Sequence, residues 1–147
     1  MNKLSIAIGC DHAGFELKEV LKNYLTEKGY TIKDFGTYSE ERADYPDFAH
    51  QVATAVENKQ YNFGLLMCGS GNGINMTANK HKGIRSALCW NREIAKLARQ
   101  HNDANILTLP ARFMDVNEAK ACTDVFFSTD FEGGRHADRV KKIAEGC

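Results

Sequence analysis

Short apolar runs alternate along the chain with longer stretches in which apolar residues recur every three or four positions. The runs "LSIAIG", "TIKDFG", "FGLLMC", "IRSALC" and "NILTLP" have strand length, and each predicts a strand. From Phe15 to Lys28, the residues Phe15, Leu17, Val20, Leu21, Tyr24 and Leu25 follow helical spacing, and Gly29 supplies a stop. The same logic predicts helices over Phe48–Glu57, Glu93–Gln100, Asn117–Phe127 and Ala137–Glu145, with another opening near Ile74. A β-α unit repeated five times, closed by a tail helix, predicts an α/β fold: a five-stranded parallel sheet with helices on both faces. Its crossovers are right-handed and its ligands sit at the carboxyl ends of the strands.

At 147 residues the chain is long enough to bury a core unaided, and residues 1–147 are expected to form one domain. No linker, low-complexity segment or internal repeat interrupts the pattern. The 19 basic residues equal the 19 acidic ones, so no field of one sign draws the chain to nucleic acid or to an anionic membrane. The N-terminal apolar run is too short for a signal peptide, and no stretch reaches the roughly 18 residues of a membrane span. A cytoplasmic protein is expected. Cys10, Cys68, Cys89, Cys122 and Cys147 are odd in number and include no CxxC pair, which suits free thiols in a reducing compartment.

Chemistry concentrates in "GCDHAG" after the first strand, "MCGSGNG" after the third and "RQHNDAN" before the fifth. Taken singly, Asp11 reads as a helix cap and His12 as a solvated loop histidine. The glycine loop is not a nucleotide motif. Ile74 stands where a dinucleotide fingerprint needs its third glycine, and no Lys-Ser or Lys-Thr follows as a P-loop requires. Gly69, Gly71 and Gly73 can instead turn several N–H groups toward one point, a nest for negative charge. Cys68 heads that nest, where a helix N-terminus would lower its pKa; a buried cysteine ending a strand is the equal alternative. His101 and Asn102 follow an apolar helix, so His101, taken alone, reads as a partner of its C-terminal dipole. Arg135 and Arg139 lie four apart on one helical face, which suits either a solvated charged face or a phosphate.

Together, "GCDHAGFELK", "DYPDFA", "CGSGNGINMTANK", "GIRSALC", "RQHNDANIL" and "FEGGRHADRV" resemble, in order and nearly end to end, the motifs of the ribose-5-phosphate isomerase B family. That family also contains galactose-6-phosphate isomerase subunits. The resemblance implies a Rossmann-like three-layer fold and an aldose–ketose isomerisation in the pentose phosphate pathway, ribose 5-phosphate to ribulose 5-phosphate. No metal and no cofactor is implied.

By the same resemblance, Cys68 is the base that moves a proton between C2 and C1, and His101 is the acid that opens the sugar ring. The N–H groups of Gly69, Ser70, Gly71, Asn72 and Gly73 are expected to cradle the enediolate oxygens. Asp11 and Asn102 are expected to bind sugar hydroxyls, with Asp44 and Tyr45 lining the same pocket. His12, Arg112, Arg135 and Arg139 match the family's phosphate site. Relatives assemble this pocket from two subunits, so a homodimer or homotetramer is implied, with the C-terminal helix contributing to the dimer interface. Ser70 departs from many relatives, which carry threonine there; the hydroxyl is kept. Two other functions fit the same residues less fully: a phosphohexose isomerase acting on allose 6-phosphate or galactose 6-phosphate, and a non-catalytic sugar-phosphate sensor.

Overall fold

The computed structural model describes residues 4–146. Five strands form one sheet: β1 (Ser5–Cys10), β2 (Thr31–Asp34), β3 (Phe63–Cys68), β4 (Ser86–Leu88) and β5 (Ile106–Pro110). All pairings are parallel and the spatial order is β2-β1-β3-β5-β4. The helices are α1 (Phe15–Glu27), α2 (Tyr45–Glu57), α3 (Asn72–Ala78), α4 (Arg92–Asn102), α5 (Val116–Ser128) and α6 (Arg135–Glu145), with a 3-10 turn at His12–Gly14. This is the α/β sandwich that the alternating pattern predicts.

Period-two alternation sorts the strand residues into two cores. Ile6, Ile8, Leu65, Met67, Leu107 and Leu109 pack on Leu17, Leu21 and Leu25 of α1, Ala95 and Ala98 of α4, and Phe126 of α5. From the other face, Ala7, Leu66, Cys68 and Ile106 meet Ala49, Val52, Ala53 and Val56 of α2 and Ile74 and Ala78 of α3. Cys68 therefore belongs to the α2–α3 side. The chain leaves β1 for β2 on one side and leaves the neighbouring β3 for β4 on the other, so the connections part between β1 and β3. A crevice opens at their carboxyl ends, the general place for a ligand in such a sheet.

Several boundaries differ from the sequence expectation, each for a local reason. Helix α2 starts at Tyr45, not Phe48, because Pro46 sits in the first turn, where its missing N–H would have had no helical partner. Helix α4 continues past Gln100 through His101 and Asn102. It stops at Asp103, whose left-handed backbone (φ 47°) returns its N–H to the carbonyls of Ala98 and Arg99. Helix α6 begins at Arg135, immediately after the positive-φ pair Gly133 and Gly134. The strand expected over "TIKDFG" ends at Asp34, before Gly36 turns to φ 97°. That expected over "IRSALC" narrows to three residues, Ser86–Leu88.

The segment after β2 is tied to the end of β1. Cys10 N–H donates to the Gly36 carbonyl (2.8 Å) and Thr37 N–H to the Cys10 carbonyl (2.9 Å). Behind it, the fully buried Lys18 holds both Asp34 oxygens at 2.7 and 2.6 Å, and Asp34 Oδ1 accepts the Gly36 N–H at 2.8 Å. Burial alone would raise the Asp34 pKa, but the Lys18 and Gly36 hydrogen bonds and Lys22 bring it below the usual value. A buried charge is kept here because it is paired. The bonds to Gly36 and Thr37 hold both backbone groups of Cys10, the residue before Asp11.

Cys10, Cys68, Cys89 and Cys122 are all buried free thiols, and Cys147 lies outside the described residues. No helix among the described residues is long and apolar enough to cross a membrane.

Candidate active site

The carboxyl ends of β1 and β3 bring most of the singled-out residues together. Asp11 caps the 3-10 turn, its Oδ1 accepting from Ala13 N–H (2.9 Å) and Gly14 N–H (3.1 Å). The cap reading and a role at the site are compatible, because Asp11 also acts electrostatically on Cys68. His12 meets the backbone of Ala43 through Nδ1, 3.2 Å from both its carbonyl and its N–H. That contact anchors the chain next to Asp44, which caps α2 by position, and Tyr45, which begins it.

Cys68 ends β3 in register with Pro110 of β5. Beyond it the chain is held by Ala111 N–H to the Cys68 carbonyl and Arg112 N–H to the Gly69 carbonyl, both 2.9 Å. These bonds set Arg112 alongside the loop, its Cδ and Nη1 3.4 Å from where a Cβ on Gly69 would stand. Ser70 Oγ accepts the Asn72 N–H (3.2 Å), a local turn that starts α3. Gly71 sits at φ 79°, and a Cβ there would also lie 2.5 Å from Leu88 Cδ1, so both backbone and space require glycine. Gly73 is needed for close approach alone: a Cβ there would lie 2.4 Å from Tyr45 Cζ. Tyr45 thus roofs the glycine loop.

The expected lowering of the Cys68 pKa is not what the structure produces. Burial dominates and pushes the thiol up, Asp11 adds to this, and the N–H groups of Ile74, Gly71 and Gly73 only partly offset it. The sequence pattern reveals the N–H nest; it does not reveal how far Cys68, 5% exposed, is withdrawn from water. Part of the nest serves the sulfur itself.

His101, Asn102, Arg135 and Arg139 are elsewhere. Helix α4 runs back from the carboxyl edge and delivers His101 and Asn102 to the amino end of β5. At about 3.3 Å per residue, the five residues of β5 separate them from Cys68 by roughly 15 Å. Arg135 and Arg139 join them: α6 packs on α4, and the rings of His101 and His136 stack with centroids 4.3 Å apart. Within one chain, then, the groups form two clusters: Asp11, His12, Asp44, Tyr45, Cys68 to Gly73 and Arg112 at the carboxyl edge, and His101, Asn102, Arg135 and Arg139 at the amino edge.

Sequence reasoning did not single out Glu132 and His136, which flank His101. His136 stands within "GGRHADRV", between the two arginines, but its contact with α4 spans 35 residues and leaves no local trace. His101, Glu132 and His136 also form the one group of potential metal donors found among the described residues, with ligand atoms within 4.8 Å of one another.

Residues 6–143 match the family model described as Ribose/Galactose Isomerase. Ribose-5-phosphate isomerase B of Escherichia coli (strain K12) is 46% identical over 138 residues, 94% of this chain and 93% of that protein. The crystal structure of a ribose 5-phosphate isomerase from Thermotoga maritima superposes with a TM-score of 0.95 at 51% identity, covering 97% of this chain and 98% of that one. Ribose-5-phosphate isomerase B from Mycoplasma genitalium, solved with bound ribulose-5-phosphate, gives 0.92 at 42% identity over 97% and 95% of the two chains. With almost its whole length matched in sequence and in fold, this chain belongs to the ribose/galactose isomerase family.

Proposed function

We propose that this chain interconverts D-ribose 5-phosphate and D-ribulose 5-phosphate through an enediolate, with Cys68 as base and with His101 of a second copy of the chain as ring-opening acid. It is an aldose–ketose isomerase acting on a phosphorylated sugar. The observation that carries the reading is Cys68 at the head of the glycine loop, under Tyr45 and beside Asp11 and Arg112.

The steps balance without an external reagent. His101 gives a proton to the ring oxygen as its bond to C1 breaks, and the C1 hydroxyl loses a proton to leave the open aldehyde. The Cys68 thiolate removes the proton from C2; after proton movement between the C1 and C2 oxygens, the Cys68 thiol returns a proton to C1. The enediolate between these transfers carries charge on oxygen, for which the fixed N–H groups of Gly69 to Gly73 are the donors at hand. His12 and Arg112 bind phosphate from one side, and Arg135 and Arg139 with Asn102 approach from the partner. The roughly 15 Å between the two clusters of one chain supports a homodimer at least, a homotetramer being two such pairs. In this reading residues 1–147 act as one domain, α6 contributes to the subunit contact, and the reaction is cytoplasmic.

The decisive assay is kcat/KM with chelator present on ribose 5-phosphate, allose 6-phosphate and galactose 6-phosphate. Preference for the pentose by about 10-fold or more is expected, the scale on which a pocket discriminates one carbon. Preference for a hexose phosphate would move the assignment to the phosphohexose reaction, and no turnover on any would leave a sensor. The Mycoplasma genitalium relative with ribulose-5-phosphate bound supports the pentose.

Gly73→Ala separates site geometry from stability. Gly73 is helical and its backbone accepts alanine, so the stability change should stay within about 1 kcal/mol. The new methyl displaces Tyr45 from above the loop, so KM should rise, by about 10-fold for a lost hydrogen bond or packing contact. Thermal melts and steady-state kinetics read the two effects; an unchanged KM would remove Tyr45 from the pocket.

A further inference from the structure

The amino-edge cluster is more ordered than a set of surface side chains. His101 and His136 lie face to face, centroids 4.3 Å apart and planes inclined by 13°. The Glu132 Oε1 is 3.6 Å from His136 Nε2 and 3.9 Å from His101 Nε2. The turn that carries them is fastened to the last turn of α4: Glu132 N–H donates to the Gln100 carbonyl and His136 N–H to the Gly133 carbonyl, both 3.0 Å. Gly133 and Gly134, at φ 67° and 54°, allow that turn. The His136 side chain is only 10% exposed and that of His101 38%, so His136 covers one face of His101 and leaves the remainder open.

A histidine ring rotates easily about its second side-chain torsion, which has a broad, roughly two-fold profile. Proton delivery to a ring oxygen is directional, so a freely turning imidazole is misaimed for much of the time. A flat partner stacked on one face removes that freedom. We propose that His136 is the positioning residue for His101, its stacked ring holding the imidazole in the plane from which the proton reaches the sugar's ring oxygen. The inference rests on the reading of His101 as the ring-opening acid.

The charges around the pair agree. Desolvation, then His101 and Arg135, lower the His136 pKa against the opposing Glu132, which favours the neutral ring stacked on His101. A metal centre built on the same three side chains is the poorer fit. The two ring planes are nearly parallel, and lone pairs confined to parallel planes do not converge on one ion. Arg135 and Arg139 also make the surroundings of His136 positive.

Two substitutions of similar volume test the proposal without emptying the site: His136→Phe keeps a flat ring and His136→Leu does not. Both are checked for native circular dichroism and assayed on ribose 5-phosphate, which is mainly ring-closed. Each is also assayed for deuterium exchange from D2O into C1 of ribulose 5-phosphate, which is open-chain because its C5 oxygen is phosphorylated. Exchange reads the Cys68 step alone. For His136→Leu, kcat on ribose 5-phosphate should fall about 10- to 100-fold with KM nearly constant. Its rate should also level off as enzyme is added, limited by uncatalysed ring opening, while exchange stays near wild type. His136→Phe should recover most of the loss. Equal loss of turnover and exchange, no loss at all, or a Phe variant no better than Leu would each overturn the positioning role. His101→Asn, run beside them, separates the two ideas: if it leaves ribose 5-phosphate turnover intact, the acid assignment fails and takes the positioning role with it.

Discussion

Cys68→Ala is expected to lower kcat by roughly 10²–10⁴-fold, the range for loss of a positioned proton-transfer group, while sugar-phosphate binding measured by calorimetry stays within a few-fold. The asymmetry follows from the geometry. The proposed binding groups on this edge, namely Asp11, His12, Tyr45 and Arg112, do not depend on the sulfur. Gly71, whose N–H acts on the sulfur, keeps its backbone because Leu88 and its own φ dictate it. The raised thiol pKa adds a second test. In the proposed mechanism the thiolate is the working form and burial favours the thiol, so the Cys68 step, read without ring opening as deuterium exchange into ribulose 5-phosphate, should speed up between about pH 7 and pH 9. Turnover that survives the substitution, or a profile that declines over that range, rejects Cys68 as the base.

Mixing two inactive variants should restore activity. With the site shared as proposed, Cys68→Ala and His101→Asn each disable every site in their own homodimer, because each removes one of two groups that the fold keeps at opposite edges of the sheet. When the two are co-expressed in equal amounts, half of the randomly assorted dimers are hybrids. One of the two sites in each hybrid takes its cysteine from one chain and its histidine from the other, both intact. About one quarter of wild-type activity is the expected recovery, and the same fraction holds for a tetramer made of two dimers. A site built within one chain recovers nothing. The measurement is kcat of the purified, unfractionated mixture on ribose 5-phosphate, with each homodimer as baseline.

Much of this protein is legible in its sequence because local physics dominates there. The alternation of strand-length apolar runs with helical spacing is enough for the parallel sandwich, since such strands have no other way to bury two faces. The glycine loop is legible because few backbones other than a turn into a helix need that many glycines, and the ordered motifs from "GCDHAGFELK" to "FEGGRHADRV" point to the family. Boundaries are less legible where a cap or left-handed residue decides them: Pro46 in the first turn of α2, Asp103 closing α4 and Gly134 opening α6.

What only the tertiary structure decides depends on contacts distant in the chain. The Cys68 pKa is set by the α2 and α3 side chains that bury it, so a rule based on the helix N-terminus alone gets its direction wrong. His136 acquires its place only when α6 docks on α4. The division of the polar residues between the two edges follows from strand direction: a helix that returns to start the next parallel strand must end at the opposite edge from the one it left. His101, at the end of α4, is therefore carried away from Cys68 by the same topology that creates the crevice at β1 and β3, and the sequence names both residues without showing that one chain cannot bring them together.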